Sequence, residues 1–237
     1  MRLLVTRPEP DGEHTAELLC AQGHEVMLAP MLRIEAIPDA EFGAGPWAAV
    51  LITSANGARA MARHPRLGEL LALPAVTVGS RSAGAARAAG FTNVESAGGD
   101  GEDLVRLVAR RFAGTTKPLL YSAGEDRARN LFGDLSRHGI PVETAVVYRA
   151  VKAVQLPADV ETALRDGRID GVIHFSQRSV ETYLECARQL RQQALAPVHY
   201  CLSERAAGPL RSAGAQKIVV ASHPDEAALL ALVTPRP

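Results

Sequence analysis

The sequence has no excess of charge of either sign, since 26 lysines and arginines balance 26 aspartates and glutamates among 237 residues. A chain without a net positive field does not attract polyanions over long range, so we expect no nucleic-acid partner. Any anionic ligand must then be bound by local groups. Long apolar runs are also absent, and nothing near Met1 resembles a signal peptide or a membrane span. We therefore expect no membrane association and a cytoplasmic location.

Cysteine is scarce, and its spacing is uninformative about chemistry. The three cysteines, Cys20, Cys186 and Cys201, show neither paired nor metal-type spacing. This pattern excludes a disulfide framework and indicates buried thiols in a reducing compartment.

The common catalytic signatures are missing as well. The chain has no Walker loop and no Gly-x-Ser-x-Gly elbow, and its seven histidines form no metal-type pair. Gly98-Gly99-Asp100-Gly101 lacks the dinucleotide fingerprint spacing and is predicted to be a turn before a helix. These absences disfavour a cofactor-using transferase or dehydrogenase.

What the chain does contain is a regular alternation of short apolar runs with helical segments, which is typical of parallel α/β architecture. Several helical segments stop at a glycine, which accepts the left-handed backbone that ends a helix: Gly23, Gly90, Gly139 and Gly214. The predicted strands are Leu3–Thr6, Glu25–Ala29, Val50–Thr53, Ala75–Val78, Leu119–Ser122, Val142–Val147, Gly171–Phe175, Val198–Leu202 and Lys217–Val220.

The alternating pattern also repeats along the chain, which predicts an internal duplication. Leu4 and Leu120 begin matching strand, helix and glycine blocks 116 positions apart, and Ser54 and Ser176 follow matching strands 122 positions apart. Later blocks match at offsets of 124 and 125. The blocks therefore occur in the order A, B, A′, B′.

Two segments at equivalent points of the repeat, about residues 33–38 and 146–154, alternate apolar and polar residues as ribbon strands do. If these two segments pair, they form an antiparallel connector between two lobes. Block B then packs with block A′, and block A packs with block B′. One lobe would then be discontinuous, residues 1–34 plus 155–237, and the other continuous, residues 39–145. A plain tandem split near Thr115 is the alternative.

Hydroxyl residues recur where a predicted strand turns into a helix. Ser and Thr at such points cap helices, yet the carboxyl ends of parallel strands are also where open sheets bind ligands, and helix N-termini attract carboxylates. Arginines follow some of these turns, and Arg7, Arg81 and Arg205 are the best placed to contact an anion. The turn residues are Thr6, Thr53, Ser54, Ser80, Ser82, Ser122, Ser176 and Ser203.

Six short motifs in this order resemble the uroporphyrinogen-III synthase family over essentially the whole chain. They begin at Leu4, Ile52, Val78, Val146, Phe175 and Leu202 and read LVTRP, ITSANG, VGSRSA, VVYR, FSQRS and LSERA. The resemblance implies two flavodoxin-like α/β lobes joined by a two-stranded linker, and no metal or cofactor. It implies the substrate hydroxymethylbilane, a linear tetrapyrrole with eight carboxylates, handed over transiently by the preceding pathway enzyme. It also implies a monomeric lyase of porphyrin, heme and tetrapyrrole biosynthesis.

The same resemblance carries the family's hydroxyl contacts onto Thr53, Ser54, Ser82 and Ser176, and its linker tyrosine onto Tyr148. The family's paired threonines at the last turn are replaced here by Glu204-Arg205 after Ser203, so that turn keeps its amides but loses two hydroxyls. Tyr148 is the best candidate to protonate the departing hydroxyl of the substrate, and a purely structural strand aromatic is the alternative. A non-catalytic two-lobed sensor is the rival function.

Overall fold

A computed structural model of the chain describes residues 1–126 and 131–233, with only the backbone of Phe132. Its strands form two sheets, ordered β11-β10-β9-β1-β2 and β3-β8-β7-β4-β5-β6. The strands are β1 Arg2–Val5, β2 Glu25–Leu28, β3 Leu32–Ala36, β4 Ala49–Ile52, β5 Ala75–Thr77, β6 Val94–Ser96, β7 Leu119–Gly124, β8 Val142–Lys152, β9 Gly171–His174, β10 Val198–Cys201 and β11 Ile218–Val220.

Helices connect these strands, as parallel pairing requires. They are α1 Asp11–Ala21, α2 Ala55–Met61, α3 Leu67–Leu70, α4 Ser80–Ala88, α5 Gly101–Arg111, α6 Leu131–Ser136, α7 Ala158–Arg165, α8 Gln177–Cys186, α9 Arg191–Leu195, α10 Glu204–Ala213 and α11 Glu226–Leu230, with a 3-10 turn at Arg188–Leu190. No helix in the described ranges is long and apolar enough to cross a bilayer.

The chain divides into two compact units. The discontinuous unit comprises Met1–Arg33 with Val151–Pro237, and the continuous unit comprises Ile34–Ala150. In the discontinuous unit β1 pairs in parallel with both β2 and β9, with Leu3 opposite Gly171. In the continuous unit β4 pairs in parallel with β5 and β7. The predicted α/β class with parallel sheets is confirmed, whereas the expected lobe bounds, 1–34 plus 155–237 and 39–145, stay a prediction.

Central strands in both units are buried on both faces, which explains their continuous apolar runs. Leu3, Leu4 and Val5 of β1 and every residue of β4 are inaccessible to solvent. The helices cover these strands with apolar side chains, such as Ala58 and Met61 of α2. All four glycines predicted to end helices have positive φ angles, which confirms their stop role.

Strand β8 is longer than expected and carries an irregularity. The predicted strand Val142–Val147 and the predicted linker strand 146–154 are one element in the structure. Its pairing with β7 shifts register, because Ala123 is opposite Val146 while Gly124 is opposite Tyr148. Val147 is therefore an extra residue on β8, which is a β-bulge.

The strand β3 lies at the other side of β8. Backbone bonds run from Ile37 N to the Val147 oxygen at 2.8 Å and from Ala153 N to the Met31 oxygen at 3.0 Å. Partner numbers rise on one strand as they fall on the other, so this pair is antiparallel. The expected pairing of the two linker segments is confirmed.

Some predicted details were wrong or incomplete. Strand β6 is not among the predicted strands. The helical segment expected at about 126–138 is described only from Leu131 to Ser136, because 127–130 lie outside the described residues. The three cysteines are free thiols, but burial was correctly predicted for Cys201 alone, because Cys186 is half-buried and Cys20 is exposed.

Candidate functional site

The turn after β4 in the continuous unit places two hydroxyls at the carboxyl end of the sheet. Ser54 is the N-cap of α2, and its side chain accepts from Asn56 N at 3.1 Å. The Thr53 hydroxyl lies 3.3 Å from the phenol oxygen of Tyr121, which stands on the neighbouring strand β7. The expected capping role of Ser54 is confirmed, and Tyr121 is a partner that sequence reasoning missed.

Tyr148 lies beside this turn. Burial raises the pKa of its phenol, a hydrogen bond with the Ser54 hydroxyl partly opposes this, and the nearby Tyr121 and Asp126 raise it further. A raised pKa means that the phenol keeps its proton throughout the neutral range. The Tyr148 phenol is therefore protonated at neutral pH and can donate a hydrogen bond.

Ser122, on β7 beneath the turn, was expected to follow its strand and cap a helix. That expectation was wrong, because β7 continues to Gly124 and the Ser122 side chain is 1% exposed. Within residues 1–126 and 131–233 its hydroxyl oxygen has no hydrogen-bond partner. Helix α2 approaches it closely, since a Cβ built on Gly57 would lie 2.9 Å from that oxygen.

The first turn of α4, also in the continuous unit, offers main-chain amides. Its N-cap is Gly79, which has no side chain to satisfy those amides, in contrast to the serine caps elsewhere. Ser80 is the first helical residue rather than the cap. Ser82 is buried in this turn, and Arg81 beside it is exposed.

In the discontinuous unit, two neighbouring strands lead into serine-capped helices. Ser176 caps α8 by accepting from Ser179 N at 3.1 Å, and its hydroxyl lies 2.9 Å from the Ser179 hydroxyl. Ser203 caps α10 by accepting from Ala206 N at 3.3 Å. Arg205 Nε donates to Gln177 at 3.2 Å, so the exposed guanidinium of α10 contacts the first turn of α8.

Arg7 occupies a different environment from Arg81 and Arg205. Its side chain is 6% exposed, with Nη1 at 2.7 Å from the Glu226 carboxylate and Nη2 at 3.6 Å from that of Asp11. The guanidinium also lies 4.1 Å from the Phe175 ring centroid. A substrate carboxylate would have to displace Glu226 to reach it. This geometry suits a structural role, linking α11 to α1.

A buried imidazole cluster lies inside the same unit. Thr6, expected to cap a helix, instead donates to the Ile173 oxygen at 2.9 Å and lies 3.2 Å from His174 Nδ1. His174 Nε2 lies 3.2 Å from His199 Nδ1. Burial lowers the pKa of His174 well below its usual value and that of His199 to about 4. Both rings are therefore neutral at physiological pH.

Metal ligation has no obvious site in these units. Across the two described ranges, no group of three or more His, Cys, Asp or Glu side chains could hold an ion.

Comparison with known proteins identifies one family. A family model described as uroporphyrinogen-III synthase HemD matches residues 13–231. The fold is similar to that of uroporphyrinogen-III synthetase from Helicobacter pylori, with a TM-score of 0.67, 20% identity and coverage of 98% of each chain. It is also similar to a mutant uroporphyrinogen III synthase from the extremely thermophilic bacterium Thermus thermophilus, with a TM-score of 0.55, 18% identity and coverage of 98% of this chain and 96% of the other. No curated protein sequence matches significantly.

Proposed function

Since this chain belongs to the uroporphyrinogen-III synthase family, we propose how its own residues carry out the family's reaction. The chain is an enzyme of the lyase class in tetrapyrrole and heme biosynthesis. The reaction closes hydroxymethylbilane to uroporphyrinogen III with loss of water and inversion of ring D. Nothing in the comparisons supports the alternative of a non-catalytic sensor.

Binding of the substrate carboxylates is the first part of the proposal. Main-chain amides at helix starts carry partial positive charge, and a balanced chain needs such local groups to hold an anion. The supporting observation is the first turn of α4, where Gly79 leaves the amides without a side-chain cap. Ser82 in that turn and the Ser176 hydroxyl at α8 would add neutral hydrogen bonds. Thr53 and Ser54 contribute hydroxyls beside Tyr148.

The arginines supplement the amides. Arg81 and Arg205 are exposed one or two residues after a strand-to-helix turn, so each can reach an anion at that end of its sheet. For Arg7 we propose an indirect part in binding, in which it shapes the end of β1. Its guanidinium is already paired with the carboxylates of Glu226 and Asp11.

Tyr148 is the proposed general acid. The bond between the hydroxymethyl carbon and its oxygen breaks, and the oxygen leaves as water with the phenol proton. The resulting electrophilic carbon is attacked by the substituted carbon of ring D, and the spiro intermediate breaks and recloses inverted. The proton lost when the pyrrole regains aromaticity restores the phenol. The observation that supports this role is the position of the half-buried Tyr148 phenol, which is hydrogen-bonded to the Ser54 hydroxyl at the start of α2.

Positioning supplies most of the remaining rate enhancement in this proposal. A substrate held in one conformation reacts with an effective molarity worth roughly 7–11 kcal/mol. That contribution requires no strong acid–base pair, which accords with the missing catalytic signatures in the sequence.

The cellular setting belongs to the same proposal. We infer a cytoplasmic monomer that receives its substrate from the preceding enzyme, without nucleic-acid or membrane partners. The balanced charge and the three free thiols support this setting. We also propose that residues 39–145 fold alone, while 1–34 need 155–237.

Separation of the isomeric products tests the function. Unassisted closure of hydroxymethylbilane gives the uninverted type I ring, so the purified chain should convert the substrate to the type III isomer and suppress type I. Chromatography of the oxidised products over a time course distinguishes the two. Accumulation of type I at the rate of the enzyme-free control would contradict the proposal.

A further inference from the structure

The orientation of Tyr148 does not follow from the simple alternation of a β-strand. Ala145 and Val147, two residues apart on β8, both belong to the apolar cluster formed with α2 and α4. Strict alternation would turn the next residue to the opposite face. Tyr148 nevertheless packs against the same cluster. The bulge at Val147 explains this, because an extra residue re-aims the side chain that follows it.

The strand facing the bulge provides the space that the ring needs. Gly124 is opposite Tyr148 in the ladder, and the Tyr148 carbonyl accepts from Glu125 N at 2.9 Å. A Cβ built on Gly124 would lie 2.7 Å from Tyr148 Cζ and 2.9 Å from its hydroxyl oxygen. Real Cβ atoms essentially never approach so closely, so any side chain at residue 124 displaces the phenol.

We propose that Gly124 is a positioning residue for the cyclisation, which together with the bulge at Val147 sets the phenol of Tyr148 beside Ser54. The proposal rests on the proposed function of Tyr148 as proton donor. Gly124 itself touches no reacting atom. Its contribution is the lack of a side chain at a position on β7 that the Tyr148 ring covers.

The test is Gly124→Ala in the full chain. The clash falls on the far end of a side chain rather than on backbone, so the ring should shift while the sheet stays intact, with the denaturation midpoint close to the parent's. A misplacement of about 1 Å can cost about 10²-fold in rate, and we expect kcat for hydroxymethylbilane to fall by that order. Gly68→Ala in α3 is the matched control, because a Cβ there meets nothing within 4 Å, and it should keep parental kcat.

A readout independent of activity follows the phenol itself. Ultraviolet titration of tyrosinate, taken as the difference between each protein and its Tyr148→Phe counterpart, isolates Tyr148 from the other three tyrosines. Displacement from its buried position should lower the pKa of Tyr148 in Gly124→Ala relative to the parent. In the Tyr148→Phe background, Gly124→Ala should cause no further loss of kcat, because the donor is already absent.

Two results would overturn the proposal: an unchanged Tyr148 titration in Gly124→Ala, or losses of kcat that multiply in the double variant. If Tyr148→Phe keeps full turnover while Gly124→Ala still shifts the titration, the catalytic role of Tyr148 fails but the placement by Gly124 stands. If Gly124→Ala alone does not fold, Gly124→Ala with Tyr148→Ala should restore folding by removing the clash, and failure to do so would also reject the proposal.

Discussion

The two units differ in the polar groups that lie behind their serine-capped turns. Ser54 in the continuous unit and Ser176 in the discontinuous unit both follow a buried strand and cap the next helix. Near Ser54 stand phenols and hydroxyls, with Tyr148 only partly buried. At the end of the strand before Ser176 stands His174, fully buried against His199.

Burial acts in opposite directions on these two groups. A phenol becomes charged when it loses a proton and an imidazole when it gains one, so desolvation raises the pKa of Tyr148 and lowers that of His174. The phenol stays a proton donor at the surface of its unit, whereas the imidazoles are neutral and inaccessible. In the proposed function the phenol of the continuous unit takes part in the reaction, whereas the buried imidazoles of the discontinuous unit affect only stability.

The largest effect should come from Tyr148→Phe. This change keeps the ring and removes only the donor, and general acid help is worth about 10²–10⁴-fold. We expect kcat to fall by that order while thermal stability barely changes and the product remains type III. Unchanged turnover would make Tyr148 a structural strand aromatic, and release of type I by bound substrate would mean that it controls geometry instead.

Acid should destabilise the discontinuous unit selectively. The unfolded state binds a proton at His199 below its ordinary pKa of about 6.5, whereas the folded state does so only near 4. The contribution of neutral His199 to the free energy of unfolding is therefore fully present above pH 6.5. It is lost as the pH falls toward 4, and the loss from His199 alone is about 3 kcal/mol at pH 4.

Amide hydrogen exchange should show this loss in β9 and β10. His199→Gln should flatten the pH dependence in those strands, while the exposed His223→Gln should leave it as in the parent. Equal acid sensitivity of β4 and β7 would remove the proposed difference between the units.

Tyr183→Phe should give the reverse pattern of Tyr148→Phe. The Tyr183 hydroxyl, inside the discontinuous unit, donates to the Ala194 oxygen at 3.0 Å, and the ring is fully buried. Losing this bond should cost about 1 kcal/mol of unfolding free energy without changing kcat. A loss of turnover comparable to that of Tyr148→Phe would show that the two phenols are not functionally distinct.

The smallest effects should come from single hydroxyl removals. Ser176→Ala and Thr53→Ala each remove a neutral hydrogen bond worth about 0.5–1.5 kcal/mol, so turnover should fall only several-fold. Because Ser176→Ala also removes the N-cap of α8, it should lower the free energy of unfolding by about 1 kcal/mol, which denaturant titration can measure. A drop of many thousandfold with the fold intact would mark a catalytic hydroxyl and contradict binding through amides.

The elements that could be predicted from the sequence are those marked by apolar runs and by capping residues. Strands such as Ala49–Ile52 and caps such as Ser54 follow from local physics. Strand β6, with the sequence Val94-Glu95-Ser96, has one apolar residue and shows no strand pattern. Strand β7 runs past Ser122 because pairing with β8, rather than local propensity, sets its end.

The site was less predictable, because its decisive contacts are remote in sequence. Arg7 is buried by Glu226, which lies 219 residues away, and no local pattern announces that ion pair. His174 and His199 meet only because their strands are neighbours. The face chosen by Tyr148 depends on a bulge, and a single inserted residue leaves the period-two pattern unreadable at that point.

The pairing of β1 with β9 has a consequence for synthesis on the ribosome. Strand β1 cannot pair with β9 until Gly171–His174 has been synthesised, whereas all six strands of the other sheet, β3 to β8, have been translated by then. The discontinuous unit is thus completed after the continuous unit, although its strands β1 and β2 are translated earlier. Throughout this interval β1 and β2 present an unpaired edge, which is a template for wrong partners. Slow translation between residues 152 and 171 would prolong that exposure.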